Sequence, residues 1–241
     1  ITIRHLLTHT SGLPDYELFE KLVDQYPQKV FTNSDLLPAL KAWDKPLYFQ
    51  PGDKWQYANM NFCLLALIVE QITRQSFRDY ARQHIFLKAG MMDSDLPSGI
   101  TPATPGNLAA NYQYANLFSP APVLADSIGK LRWRTYNLRG FEGQGNVVTT
   151  TADLLKFDQA LASGKLLRAG SLQEAYTPAR LNNGELANTG SGLGKAYYGL
   201  GWFIFADSSM GKIVWHGGGQ PGAVAIYFRN LSRKQVVVLL D

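Results

Sequence analysis

Three short stretches of this chain carry residue types that can do chemistry. The first is Tyr57-Ala58-Asn59, between a Pro51-Gly52 turn and a long apolar segment starting at Asn61. A tyrosine hydroxyl acts as general base only where nearby cations bring it below its usual pKa of about 10. An asparagine two residues on offers an amide substrate both a donor and an acceptor. The same residues also suit a tyrosine on a surface turn beside an asparagine that caps the next helix. The second stretch is Trp215-His216-Gly217-Gly218-Gly219-Gln220-Pro221-Gly222. Its glycines let a substrate approach the backbone, and an exposed N–H there can join an oxyanion hole. A glycine-rich hairpin bulge with an incidental histidine is the other reading. The third is the His5/His9 pair at i, i+4. That spacing binds zinc when Glu follows the first histidine. Here Leu6 follows, and no third ligand is evident. The pair reads as packing at a helix C-terminus, with His9 and Thr10 securing a turn at Gly12. No metal site and no cofactor is expected.

These stretches need elements to position them. Thr2 reads as the N-cap of a short helix ended by Gly12. Ser34 and Asp35 open a second helix towards Trp43. From Asn61 to Thr73 the chain is apolar nearly all round, which predicts a buried helix. Ser76, with Asp79 three residues on, caps another whose apolar stripe is Phe77, Tyr80, Ala81, His84 and Ile85. Residues 94 to 146, rich in Pro, Gly, Asn and Ser, predict a long irregular segment of the kind that borders functional clefts. Thr151-Ala152-Asp153 starts a helix that Gly164 ends. The period then changes. Leu200 to Phe205, Lys212 to His216, Ala223 to Phe228 and Gln235 to Leu240 read as strands, with turns at Asp207-Ser208-Ser209 and Asn230-Leu231-Ser232. Short turns between successive strands imply antiparallel pairing. Helices first and a meander last indicate α+β. The predicted organisation is one domain over 1–241: a mainly helical and loop lobe at 1–165, packed on antiparallel strands at 195–241.

Composition narrows the function classes. Hydrophobic residues make up 46% and charged residues 17%, which excludes a disordered chain or a coiled coil. The longest apolar run, Phe62 to Val69, falls far short of the ~18 residues of a membrane helix. The net charge is +4, but the 23 basic residues are scattered. A nucleic-acid footprint would cluster them, so no nucleic-acid partner is expected. The single Cys63 excludes an internal disulfide and a cysteine-based zinc site, and reads as a buried thiol. Oligomeric state is not legible.

The opening Ile3-Arg4-His5-Leu6-Leu7-Thr8-His9-Thr10-Ser11-Gly12-Leu13-Pro14 resembles a segment of the serine β-lactamase-related family. This is the class C β-lactamase and D-alanyl-D-alanine carboxypeptidase branch of the penicillin-recognising hydrolases. Further matches follow in the family's order: Trp55 to Asn59, Leu65 to Glu70, Gly145 to Leu154, Gly199 to Trp202, and His216-Gly217-Gly218 with Pro221-Gly222. The resemblance spans essentially the whole chain. It implies a β-lactamase/transpeptidase-like fold and acyl transfer to a serine from an amide or ester, such as a D-amino-acid peptide, a β-lactam or a small ester. By resemblance Tyr57 is the base, Asn59 holds the substrate amide, and His216-Gly217-Gly218 is the third motif. Gly219 then gives an oxyanion N–H. The family's Ser-x-x-K precedes the His-Thr-Ser-Gly segment. The chain opens without Met just before that segment and stops in a strand, so it reads as incomplete at both ends. Two internal strings, Ser127-Ile128-Gly129-Lys130 and Ser209-Met210-Gly211-Lys212, are out of order and carry Gly where a helix is needed. The expectation is a periplasmic or secreted serine hydrolase, inactive as this chain alone. The alternative is a non-catalytic relative that binds peptidoglycan-like peptides or a partner.

Overall fold

Local capping starts four of the eight α-helices among the described residues. Thr2 Oγ1 accepts the His5 N–H, and His5 Nδ1 accepts the Thr2 N–H, so α1 (Ile3–Leu7) begins on a reciprocal capping box. The structure, a computed structural model, describes residues 1–97, 108–190, 195–205 and 209–241. After α1 the chain turns through His9 (φ +54°) and Gly12 (φ +75°). A Cβ on Gly12 would lie 2.2 Å from the Phe49 carbonyl oxygen, so only glycine fits that crossing. A short helix, α2 (Glu20–Gln25), lacks any signal in the sequence pattern and follows a 3₁₀ turn at Tyr16–Leu18. α3 (Asn33–Ala42) starts one residue before the predicted Ser34, because Thr32 is the cap and Asp35 completes its box.

α4 (Asn59–Thr73) starts two residues earlier than its apolar run suggests. It is buried on one face only, through Met60, Asn61, Cys63 and Ala66, where it packs on α1 and α3. Ile72 is 74% exposed. The prediction of all-round burial is therefore corrected: Phe62, Leu65, Ile68 and Val69 are only half-buried, and Gln71 and Ile72 are exposed. Ser76 caps α5 (Phe77–Ala81) as expected. The helix then widens into a π turn at Arg82–Phe86 before α6 (Leu87–Ala89). The extra residue of the π turn rotates the stripe. Ala81, Phe86 and Ala89 face the core, while the predicted His84 is exposed and stacks on Tyr80 at 4.3 Å.

The irregular segment holds a small hairpin of β1 (Tyr112–Gln113) and β2 (Val123–Leu124) and several single turns. Asn33 fastens it to α3, its Nδ2 donating to the Glu142 carbonyl at 2.9 Å and its Oδ1 accepting the Glu142 N–H at 3.0 Å. α7 (Thr151–Ala162) is capped by Thr150 and followed by Gly164 at φ +73°. α8 (Ala169–Ala175) was not legible.

The remaining strands form one antiparallel sheet in chain order: β3 (Ala196–Tyr198), β4 (Phe203–Phe205), β5 (Ile213–Gln220), β6 (Ala223–Asn230) and β7 (Gln235–Leu240). The meander is as predicted, with an extra leading strand. β4 begins later than Leu200 because Gly201 turns there at φ +81°. The predicted turn at 207–209 lies mostly outside the described residues. Leu172, Ala175 and Tyr176 on and beside α8 pack on Ile204 and Val214 of the sheet. α7 packs on β7, and its Asp158 receives a hydrogen bond from Tyr227 and an ion pair from Arg229, both on β6. The helical part is thus fastened to the sheet by an apolar cluster and one buried polar group.

Candidate active site

Tyr57 and Asn59 sit where the chain enters α4, and a single upstream loop, residues 9–15, holds almost every residue around them. The His9 carbonyl accepts the Gln56 N–H at 2.9 Å. His9 Nδ1 accepts the Ala58 N–H at 3.2 Å and faces Asn61 Nδ2 at 3.2 Å. Ser11 Oγ donates to Asn61 Oδ1 at 2.7 Å. Asp15 Oδ2 accepts from Asn59 Nδ2 at 2.9 Å, and its Oδ1 accepts the Met60 N–H at 3.1 Å. The N-cap position of α4 is Ala58, which has no capping side chain, so Asp15 caps the helix from 44 residues away.

His5 is spent on the α1 cap, and no cluster of metal-ligating side chains exists among the described residues. His9 does more than secure the Gly12 turn. Its ring is fully buried, stacked 4.1 Å from the Tyr57 ring and edge-on to Tyr198 at 4.9 Å. Burial, with His216 nearby, drives its pKa down to about 3. Since Nδ1 accepts a backbone N–H, the neutral ring carries its proton on Nε2, which has no partner among the described residues.

Tyr57 lies between His9 and Phe203, whose ring is parallel to it at 6.4 Å. Its hydroxyl makes no hydrogen bond among the described residues. Burial, and then the Asp15 charge, push its pKa up to about 12. His216, 6.2 Å from Tyr57 ring to ring, is also neutral. Its Nδ1 lies 2.8 Å from the Gly217 carbonyl, which fixes the proton there, so Nε2 accepts from the Tyr198 hydroxyl at 3.2 Å. Burial lowers its pKa, although the Gly217 carbonyl works the other way.

The glycine run is not a bulge. β5 continues through it to Gln220 in unbroken register, with Gly217 opposite Ile226 and Gly219 opposite Val224. Without side chains, Gly217 to Gly219 show no period-2 pattern, so the sequence ended the strand too early. The register also says where the amides point. Val224 exchanges both its backbone bonds with Asp241, at 2.7 and 2.9 Å. The Gly219–Val224 pair is therefore a non-hydrogen-bonded one, and Gly219 turns its N–H and C=O away from β6. Gly217, two residues back, faces the same way. β4 ends its pairing at Trp215, so among the described residues no strand pairs with this edge of β5 beyond it. The Arg134 guanidinium donates to the Gly219 carbonyl at 3.4 Å, and Gln220 bonds Asn146, so the irregular segment borders this edge. Gly218 and Gly219 are exposed.

The structure thus brings Tyr57 and His216 together, with Gly217–Gly219 continuing the same strand, and anchors Asn59 on Asp15. Neither internal Ser-x-x-K string begins a helix: Ser127 ends a 3₁₀ turn and donates to the Leu124 carbonyl, and Ser209 lies in the turn before β5. Sequence reasoning missed Asp15, Tyr198 and Arg134. The only available signal for Asp15 was a carboxylate just past the Gly12-Leu13-Pro14 turn.

A family profile described as Beta-lactamase matches residues 1–240. The chain belongs to the beta-lactamase family. It is 34% identical over 242 residues to penicillin-binding protein 4* of Bacillus subtilis, covering all of this chain and 51% of that protein. A D-aminopeptidase of Brucella ovis is 24% identical over 220 residues, 91% of this chain and 38% of its own length. The crystal structure of a penicillin binding protein from Bacillus halodurans superposes with TM-score 0.77 at 27% identity, covering all of this chain and 67% of that one. The chain spans about half the length of the curated relatives it matches first. Its fold is the β-lactamase/transpeptidase-like one, helices with an antiparallel sheet. Among the described residues no helix is long and apolar enough to cross a membrane.

Proposed function

We propose that the full-length protein is a serine hydrolase that forms an acyl-enzyme from an amide or ester, its substrates being D-amino-acid peptides, β-lactams or small esters. The observation that carries this is the edge of β5 beyond Trp215, whose Gly217 and Gly219 N–H groups have no strand partner among the described residues and lie on the strand that carries His216 beside Tyr57. Acyl transfer needs a donor for the developing oxyanion, a proton acceptor and a clamp for the substrate amide. Gly219 supplies the N–H, Tyr57 the proton acceptor and Asn59 the clamp. The nucleophile comes from a Ser-x-x-K segment outside these 241 residues. Its serine oxygen attacks the carbonyl carbon and its proton passes to Tyr57. The amine or alcohol leaves with a proton, and water then releases the acid. At a pKa of about 12 Tyr57 cannot accept a proton unaided. The lysine of that segment lowers it by placing a cation at the hydroxyl. The penicillin-binding relatives favour action in the cell envelope, outside the cytoplasm.

The test is acylation by fluorescent penicillin and by a fluorophosphonate, with turnover of D-alanine p-nitroanilide, nitrocefin and p-nitrophenyl acetate. Full-length protein is expected to label and turn over at least one substrate. The 241-residue chain is expected to do neither, since losing the nucleophile costs on the order of a million-fold. Full-length protein that binds a D-alanyl peptide but never acylates would instead favour the non-catalytic binder. Turnover by the short chain, abolished by Ser127→Ala or Ser209→Ala, would move the nucleophile inside it.

A further inference from the structure

Among the described residues Asp15 is the one charged group hydrogen-bonded to the Tyr57-Ala58-Asn59 motif, and nothing in the acyl-transfer scheme uses it. Its carboxylate has no lysine or arginine partner among the described residues. Its acceptors are spent on the Asn59 side-chain amide and the Met60 N–H. A helix cap alone does not call for this. A serine, threonine or asparagine at position 58 would cap α4 locally, without burying a charge. What a carboxylate adds is chemical one-sidedness. An ionised carboxylate only accepts, so the NH₂ end of Asn59 must face Asp15 and the carbonyl end must face away. Asn59 Oδ1 has no hydrogen-bond partner among the described residues, and Asn59 is half-buried. A neutral partner would let the amide bond in either sense.

We propose that Asp15 is a positioning residue that fixes the orientation of the Asn59 amide, holding its carbonyl oxygen and second N–H towards the substrate. This rests on the proposed acyl-transfer function of the same site. Burial raises the pKa of Asp15 despite its two hydrogen bonds, so the charge costs the fold stability at neutral pH. That cost separates the proposal from a purely structural role. Asp15→Asn keeps the shape, removes the buried charge and lets the two amides pair either way.

The experiment is a double-mutant cycle in full-length protein: wild type, Asp15→Asn, Asn59→Ala and the double variant, measured on whichever of the three substrates the wild type turns over. Asp15→Asn is expected to lower kcat/KM at least about tenfold, the kinetic equivalent of one hydrogen bond to a charged group. Its melting temperature at pH 7 should equal or exceed that of the wild type. In the Asn59→Ala background the same change should cost less than about twofold, because its target is gone. An equal loss in both backgrounds, an unchanged kcat/KM, or a loss that merely tracks a lowered melting temperature would overturn the proposal. If the wild type neither acylates nor turns over, the acyl-transfer reading fails, and NMR then judges Asp15 independently. The Asn59 side-chain NH₂ resonances, identified by their loss in Asn59→Ala, should move on Asp15→Asn. An unchanged pair would overturn the proposal.

Discussion

A fully buried neutral histidine makes the stability of this fold sensitive to mild acid, and His9→Asn should remove that sensitivity. Asparagine suits the perturbation for two reasons. It tolerates the left-handed backbone at φ +54°, and its Oδ1 falls close to where Nδ1 accepts from Ala58 and faces Asn61. What disappears is the rest of the ring and its titration. In the fold the ring pKa is about 3, against 6.5 in the unfolded chain. A base whose folded pKa is depressed stabilises fully above its unfolded pKa and loses that stability as pH falls. Between pH 6.5 and 3 the unfolded chain therefore takes up a proton that the fold refuses, at about 1.4 kcal/mol per pH unit. By pH 5 the wild type has lost about 2 kcal/mol through this one group. The variant loses ring contacts with Tyr57, Phe62 and Tyr198 but also sheds an unpartnered Nε2–H. Its net deficit at pH 7 should be about 1–3 kcal/mol. Urea titrations followed by tryptophan fluorescence at pH 7, 6 and 5 give the difference between the two proteins. Most other titrating groups are common to both and cancel. His216, the titratable neighbour across Tyr57 and Tyr198, is itself held below its usual pKa by burial. The deficit of His9→Asn should shrink by about 2 kcal/mol from pH 7 to pH 5. A deficit constant to within about 0.5 kcal/mol would mean that His9 is not the neutral, proton-refusing group described, and the reasoning would fail.

Two further changes probe the reacting groups. Tyr57→Phe in the full-length protein should lower kcat by at least about 10²-fold, as loss of a general base does, while moving the melting temperature little, since the hydroxyl makes no hydrogen bond among the described residues. An active Tyr57→Phe protein would leave Tyr57 as a packing ring between His9 and Phe203. Because burial holds His216 below its usual pKa, its charge change lies under pH 6.5, so the preference of the wild type for a carboxylate-bearing over a neutral substrate should stay flat from pH 6.5 to 8.5. His216→Lys should raise that preference, and a steep wild-type fall across this range, or a lysine variant without effect, would refute the assignment.

The parts of the fold that were legible are those whose causes are local. Thr2, Ser76 and Thr150 or its neighbour announce helices because a cap acts within three residues. The closing meander is legible because short turns leave antiparallel pairing as the simple outcome. The misses have non-local causes. β3 is three residues and α8 seven, too short for a period to emerge. The stripe ending at His84 and Ile85 assumed 3.6 residues per turn, and a single π turn moved Phe86 into the core instead. The all-apolar α4 predicted burial all round, yet burial depends on what lies opposite, and one helix cannot declare its neighbours.

The same division runs through the site. Residue chemistry offered Tyr57, Asn59 and His216 only as candidates beside structural readings, and the family resemblance supplied the roles proposed for them. It could not say what makes them usable, because a reactive group is defined by its surroundings. Burial makes Tyr57 a phenol near pKa 12, and only an added cation makes it a base. The upstream segment His9 to Asp15 contains none of the proposed reacting groups, yet it accepts or donates bonds at Gln56, Ala58, Asn59, Met60 and Asn61. Gly12 lets that loop pass under the Phe49 carbonyl, and Ser11 locks the Asn61 amide. This explains why a stretch with no nucleophile or base is the most recognisable part of the chain. A reacting residue tolerates few substitutions at one position, whereas a loop that bonds five residues of another six-residue segment is constrained at many of its own positions. Changes at His9 or Asp15 should therefore act on the chemistry without touching a substrate.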